Sequence, residues 1–261
     1  MGIRMWKIHL IRLFICALAI LIGYIAFISI LDYLSKDASA HTDAGFGPAC
    51  GRATLDGNVD PEEWGGASTQ TFPMDSPSGK EPFTATLYIM NSGNNLYMGI
   101  TINDDEFTPV GTWLPQGDVF RIDFDNDHSG ALFTIQDDVL DISAGLPQFQ
   151  DGFIKGSPVP SSSGPDVEGG GTSDGFGVAS RVGDLNHFEL RHPLCSGDSL
   201  DFCLHPTDIV GFRLEYLDAE ANGQFGSSQF FPGHYETSIA DLVIGNCPLA
   251  DWFVHLPFIQ K

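Results

Sequence analysis

Beyond residue 41 the chain alternates, apolar and polar side chains exchanging places every second residue in short runs broken by Gly, Pro, Asn and Asp. "FTATLYIM" (83–90), "NLYMGITI" (95–102), "DVFRIDF" (118–124), "HFELRH" (187–192), "IVGFRLEYL" (209–217) and "IADLVIG" (239–245) all follow this pattern. A period of two places neighbouring side chains on opposite faces of an extended strand, and no long stretch shows the period of an amphipathic helix. "NSGNN" (91–95) joins the first two runs with a hairpin signal. The expected fold is all-β, an antiparallel β-sandwich of immunoglobulin-like or jelly-roll-like form, preceded by one N-terminal hydrophobic helix.

That helix is read from the first 36 residues, where Arg4, Lys7 and Arg12 precede an uncharged apolar run from Leu13 to Leu31. A run of this length suits a membrane-spanning signal anchor, and Ala38-Ser39-Ala40 offers a cleavage site for a signal peptide. Either way the chain is expected to be extracytoplasmic: membrane-anchored with the C-terminal domain outside, or secreted. Residues 1–36 are thus the signal segment, 37–48 a linker and 49–248 the binding domain, with a Gly/Ser/Pro-rich loop at 155–180 and an apolar tail at 249–261. A membrane partner is implied if the segment stays uncleaved. Past residue 36, 8 Lys and Arg face 33 Asp and Glu, a balance that repels phosphate backbones and excludes nucleic acid as a partner.

Export also frames the cysteines. Cys16 lies in the apolar run, leaving Cys50, Cys195, Cys203 and Cys247, an even number in an oxidising compartment. Of three connectivities, the expected one joins Cys195 to Cys203 across a short polar loop and Cys50 to Cys247. Metal binding is the rival use, without any C-x2-C pair in its favour.

Three constellations compete for chemistry. Asp125, Asp127, Ser129 and Gly130 in "DNDHSG" follow the first half of an EF-type calcium loop, with Asp137, Asp138 or the Asp104-Asp105 pair as further oxygen donors. Gln136 at the twelfth position and the lack of flanking helices exclude an EF-hand; Asp, Asn, Ser and Gly are also ordinary turn formers. Next, Arg121 with Asp123, Glu189 with Arg191, and Arg213 with Glu215 each place an Arg and an acid on one strand face. Were those faces to coincide, the guanidinium groups would form a polar ligand platform suited to sugar hydroxyls; a solvated face of ion pairs is the plainer alternative. Finally, Trp113 sits in a loop, where binding residues concentrate. "GTSDG" (171–175) fits a nucleophile elbow but lacks the strand and helix around it, so no enzyme is expected. His128, His187, His192, His205 and His234 lack metal spacing, and most are expected at surface or turn positions; Met74, Met90 and Met98 read as core or strand residues, with an axial haem ligand as the other use.

The order "LDGNVDPEEW" (55–64), "NLYMGITINDD" (95–105) and "GDVFRIDFD" (117–125) resembles the superfamily of family 9 carbohydrate-binding modules and DOMON-like domains. The likeness runs over roughly residues 50 to 246. It implies a β-sandwich that binds a glycan or cell-surface polysaccharide, in some relatives with structural calcium; other relatives bind haem and transfer electrons. Trp64 falls in a motif that packs in the core, which leaves Trp113 as the candidate for stacking on a sugar. The functional expectation is a non-catalytic binding module, with a DOMON-type haem-binding electron carrier and a cell-surface structural or adhesion protein as alternatives.

Overall fold

The computed structural model describes residues 45–111, 116–130, 135, 137–155, 163–234 and 238–248, all within one compact unit, His41–Lys261. The signal segment, most of the linker, Trp113 and the apolar tail lie outside the described residues. No helix among the described residues is long and apolar enough to cross a membrane.

Two sheets face each other. The larger contains β1 (Gly45–Phe46), β5 (Val119–Asp125), β6 (Asp138–Ser143), β7 (Phe149–Ile154), β8 (Ser163–Pro165), β11 (Ile209–Ala219), β12 (Phe225–Phe231) and β13 (Ala240–Val243). The smaller contains β2 (Ser68–Pro73), β3 (Thr84–Ser92), β4 (Asn95–Ile102), β9 (Phe176–Val182) and β10 (Leu185–Pro193), in the order β2-β3-β4-β10-β9. In the larger sheet the order runs β1-β13-β11-β5-β6-β7-β8, with β12 also paired to the second half of β11. Every pairing is antiparallel except that of β1 with β13.

Alternation dictates the core. Phe120, Ile122 and Phe124 of β5 and Val210, Phe212, Leu214 and Tyr216 of β11 point inward, against Leu87, Ile89, Met98, Ile100, Phe188 and Leu190 of the smaller sheet. Each fully buried side chain of this kind contributes roughly 1.5–3 kcal/mol relative to exposure. Phe120 meets Phe188 across the sandwich at 5.9 Å between ring centroids, and Phe72 stacks on Phe231 at 3.7 Å.

The segment expected to be loop at 155–180 is more structured than its composition suggests. It holds β8, a single helical turn at Asp166–Gly169, and the first residues of β9. The disulfides Cys50–Cys247 and Cys195–Cys203 are both formed.

The motif "LDGNVDPEEW" closes the outer face of the smaller sheet. Trp64, fully buried, lies over Gly99 of β4, where a Cβ would come within 2.8 Å of the indole ring. Its Nε1 donates to Glu189 Oε1 at 3.2 Å, and the amides of Asp56 and Gly57 donate to Glu189 Oε2 at 3.0 and 2.7 Å. Gly57 sits at φ +90°, a conformation that excludes most side chains. Around Trp64 a second apolar cluster gathers Val59, Met90 and Tyr97.

Candidate functional site

The expected arginine platform divides between the two sheets. Arg121 and Asp123 on β5 adjoin Arg213 and Glu215 on β11, with Arg213 opposite Asp123 and Glu215 opposite Arg121. Asp141 of β6 stands on the other side of Arg121, which donates Nε and NH2 to its two oxygens at 2.7 and 2.9 Å. Arg213 NH2 donates to Asp123 Oδ2 at 2.8 Å and lies over the Phe230 ring at 5.3 Å. Glu189 and Arg191 belong to β10 in the smaller sheet; Arg191 is exposed and Glu189 is occupied by the Trp64 motif. The three arginines therefore share no face. Arg213 and Asp123 are 3% and 2% exposed, so their pair is internal rather than a solvated platform. Burial works against the charge on Arg121, and the carboxylate of Asp141 outweighs it, raising the pKa. Burial also raises Glu215, with Asp123 adding to the effect.

At the end of β5 the expected calcium stretch makes a tight turn. Asp125 Oδ1 accepts the Ser129 amide at 2.9 Å and the Ser129 hydroxyl at 3.2 Å, while Oδ2 accepts the Gly130 amide at 2.7 Å. Asp127 Oδ1 also accepts the Ser129 amide, at 3.1 Å. Burial holds the Asp125 carboxyl up; at Asp127 hydrogen bonds from Asp125 and Ser129 outweigh burial and hold it down. Asp137 approaches this turn, its Oδ1 accepting the Asn126 amide at 3.3 Å, whereas the Asp104-Asp105 pair does not join it. Carboxylate oxygens of Asp125, Asp127 and Asp137 lie within 4.8 Å of one another, a spacing that fits calcium, yet the backbone already supplies Asp125 with donors.

Asp104 instead joins Asp218 in lining a polar cleft of about 310 Å³, with the fully buried Asp118 grouped behind them. Lys80, Phe83, Asp105, Glu106, Glu220 and Gln229 complete its walls. Tyr216 OH donates to Asp104 Oδ2 at 2.6 Å, and Asp118 accepts the amides of Thr108 at 2.8 Å and Ala219 at 2.9 Å. Burial, reinforced by Asp104 and Asp218, pushes Asp118 up to about 7 despite those amides. Lys80 bridges Glu220 at 3.0 Å and Asp218 at 3.7 Å, and Phe83 meets Tyr216 edge-on. The loop that carries Trp113 begins in this wall at Asp104–Glu106, which Arg181 grips through the carbonyls of residues 104 and 106. Asp104 and Asp118 stand in the sequence motifs themselves, as the ends of "INDD" and the start of "GDVF". Their convergence with Asp218 depends on sheet register and could not be read from spacing.

The histidines depart from expectation at two positions: His187 and His192 are buried in β10, at 5% and 0% exposure. The Val59 amide donates to His187 Nδ1 at 2.9 Å, part of the lock around Trp64. Met74 and Met98 pack in the main core and Met90 beside Trp64, as core residues. Ser173, the centre of the apparent elbow, is an exposed residue between the helical turn and β9.

No protein-family model and no curated protein matches the chain. Among solved structures, the fold is similar to a family 9 carbohydrate-binding module from Caldicellulosiruptor kristjanssonii in complex with cellotriose. That match has TM-score 0.57 and 14% identity over 79% of this chain and 96% of the module. A family 9 module from the same organism in complex with glucose gives TM-score 0.55 and 14% identity over 76% of this chain and 94% of that one. The chain thus has a carbohydrate-binding-module-like β-sandwich fold.

Proposed function

We propose that this protein is an extracytoplasmic, non-catalytic module that binds a glycan in the acidic cleft between Lys80 and Glu106, beside the Trp113 loop. The observation that supports it most is the extent of the fold match, nearly the full length of a module solved with cellotriose. Two disulfides accord with an oxidising, external compartment. The cleft offers the mixture that sugars use, carboxylates and an ammonium for hydroxyl groups and the edge of Phe83 for an apolar face; Trp113, from the chain segment that continues beyond this wall, is our candidate stacking residue. Arg121 and Arg213 hold the sheet behind the site rather than donating to sugar. In this reading calcium, if bound at Asp125, Asp127 and Ser129, fixes a turn and does not touch the glycan.

The test is titration of residues 41–261 with a panel of oligosaccharides and polysaccharides, in calcium and in chelator. Saturable binding is expected, weakened about tenfold or more by Trp113→Ala or Glu220→Ala. Absence of binding to the whole panel, with a Soret band on adding haem, would transfer the protein to the electron carriers; assembly on mixing with calcium would transfer it to the surface structural proteins.

A further inference from the structure

Inside one edge of the sandwich, four carboxylates lie almost without donors. Asp138 opens β6 on its core-facing side, Asp151 stands beside it on β7, Asp166 starts the helical turn, and Asp201 comes from the loop stapled by Cys195–Cys203. Their exposures are 0%, 2%, 0% and 8%. No donor makes a well-formed hydrogen bond to either oxygen of Asp138, Asp166 or Asp201 or to one oxygen of Asp151; the Phe202 amide and the Ser196 hydroxyl approach Asp138 and Asp201 only as weaker, poorly aligned donors. The second Asp151 oxygen accepts the Asp174 amide at 2.7 Å. Among the described residues, the only ion-pair partner any of them has is His192 of β10, fully buried, whose Nε2 lies 3.4 Å from Asp151 and 3.7 Å from Asp201.

The imidazole shows what should sit there. His192 Nδ1 is 2.8 Å from the Pro193 carbonyl, which can only accept, so Nδ1 carries the proton. Nε2 then faces the carboxylate oxygens of Asp151 and Asp201, and either a proton on that nitrogen or a cation shared with the carboxylates makes the arrangement attractive. This is how a metal-ligating histidine is held, its second nitrogen fixed by a backbone carbonyl. Ligand atoms of Asp138, Asp151, His192 and Asp201 all fall within 4.8 Å of one another, the width of a coordination shell of about 2.4 Å radius. Asp201 also groups with Asp166 and Asp198 on the helical-turn side, a second set that shares only Asp201 with the first. Carboxylates at this depth must either keep their protons or share a cation, and a histidine nitrogen set among them favours the cation.

We propose that Asp138, Asp151, Asp201 and His192 Nε2 bind a structural divalent cation between the two sheets. The ion would do for Asp138 what Arg121 of the neighbouring strand does for Asp141 on the outer face of β6. It is separate from the Asp125 turn, since Asp137 faces that turn and Asp138 the interior, and it needs no glycan.

Purified protein dialysed without chelator is expected to retain about one equivalent of metal by elemental analysis. Stripping should lower the melting temperature, and Ca²⁺, Mn²⁺ or Zn²⁺ at about 100 times its dissociation constant should restore roughly 5–10 °C. Asp138→Asn should lose both the bound metal and the thermal response, while its chelated form melts no lower than the chelated wild type, because an unpaired buried charge has gone. Asp125→Asn should keep both. Should Asp138→Asn fail to fold, Asp201→Asn provides the same comparison. Metal-free protein whose melting ignores all three ions overturns the proposal, as does an Asp138→Asn protein that keeps its metal and its response. Neither result bears on glycan binding, which is measured separately.

Discussion

Asp123 and Asp138 occupy neighbouring strands of one sheet, both at most 2% exposed, yet their surroundings differ in kind. On the outer face, Asp123 has Arg213 and Asp141 has Arg121, each within hydrogen-bonding distance. On the inner edge, Asp138 and its companions have one histidine and no arginine or lysine as ion-pair partners among the described residues. The difference teaches that burial alone says little about a carboxylate. What matters is which group keeps it company, and this chain uses four kinds: guanidinium, backbone amide, retained proton and, by our inference, metal.

Each kind has its own signature on removal. The largest loss is expected for Arg213→Ala, which strands Asp123 inside the fold and should cost about 3–5 kcal/mol in urea denaturation. The double variant Arg213→Met with Asp123→Leu should recover much of that; if Arg213→Ala alone costs under about 1 kcal/mol, arginine is not what compensates Asp123. Glu189→Ala comes next, at about 3 kcal/mol, because it leaves two backbone amides and the Trp64 indole without an acceptor. Trp64 fluorescence should shift to the red as the motif loosens; an unchanged spectrum would mean the loop is held by packing alone.

Asp118 represents the retained proton. Its folded pKa of about 7 lies above the ordinary carboxylate value, so the native state keeps a proton that the unfolded chain releases. The stabilisation is therefore complete at low pH and is lost as pH rises from about 4 through about 7, with a slope of up to about 1.4 kcal/mol per pH unit. Asp118→Asn should flatten stability against pH across that window, and a slope identical to wild type would assign the dependence to other acids. The smallest effect belongs to Asp125→Ala, at about 1 kcal/mol, since the turn loses hydrogen bonds but no buried ion is stranded. A loss that appears only in calcium and vanishes in chelator would instead give the turn its own ion.

Much of the sandwich was legible because its central strands alternate cleanly. β3, β4, β5, β10 and β11 appear within one or two residues of where period-two runs placed them. β6 escaped notice since "DVLDIS" is buried on both faces, its acids inside the fold, so no polar face marks it. β9 and β12, "FGVASRV" and "FGSSQFF", bury small or polar residues, Gly177 and Ala179 in one and Ser227 and Gln229 in the other, so no apolar alternation marks them. β2 and β7 were likewise passed over. Both disulfide pairings follow from the expected reading of the cysteines. Sites were far less visible. Arg121 and Arg213 meet only through the register of β5 with β11, and Arg191 was separated from them by a sheet assignment that alternation cannot supply. The Asp138 group draws on four separate segments and a histidine without metal spacing, so it exists only once the sheets are stacked.

The Cys50–Cys247 bond joins positions 197 residues apart in sequence. Tension applied along the chain through residues outside that pair would pass from one sulfur to the other without loading a single strand between them. The oxidised domain is, in mechanical terms, a closed ring carried on a covalent shackle. In the oxidised state a pull would load only β1, which precedes Cys50 and pairs with β13; after reduction the strands between the cysteines would bear it as well.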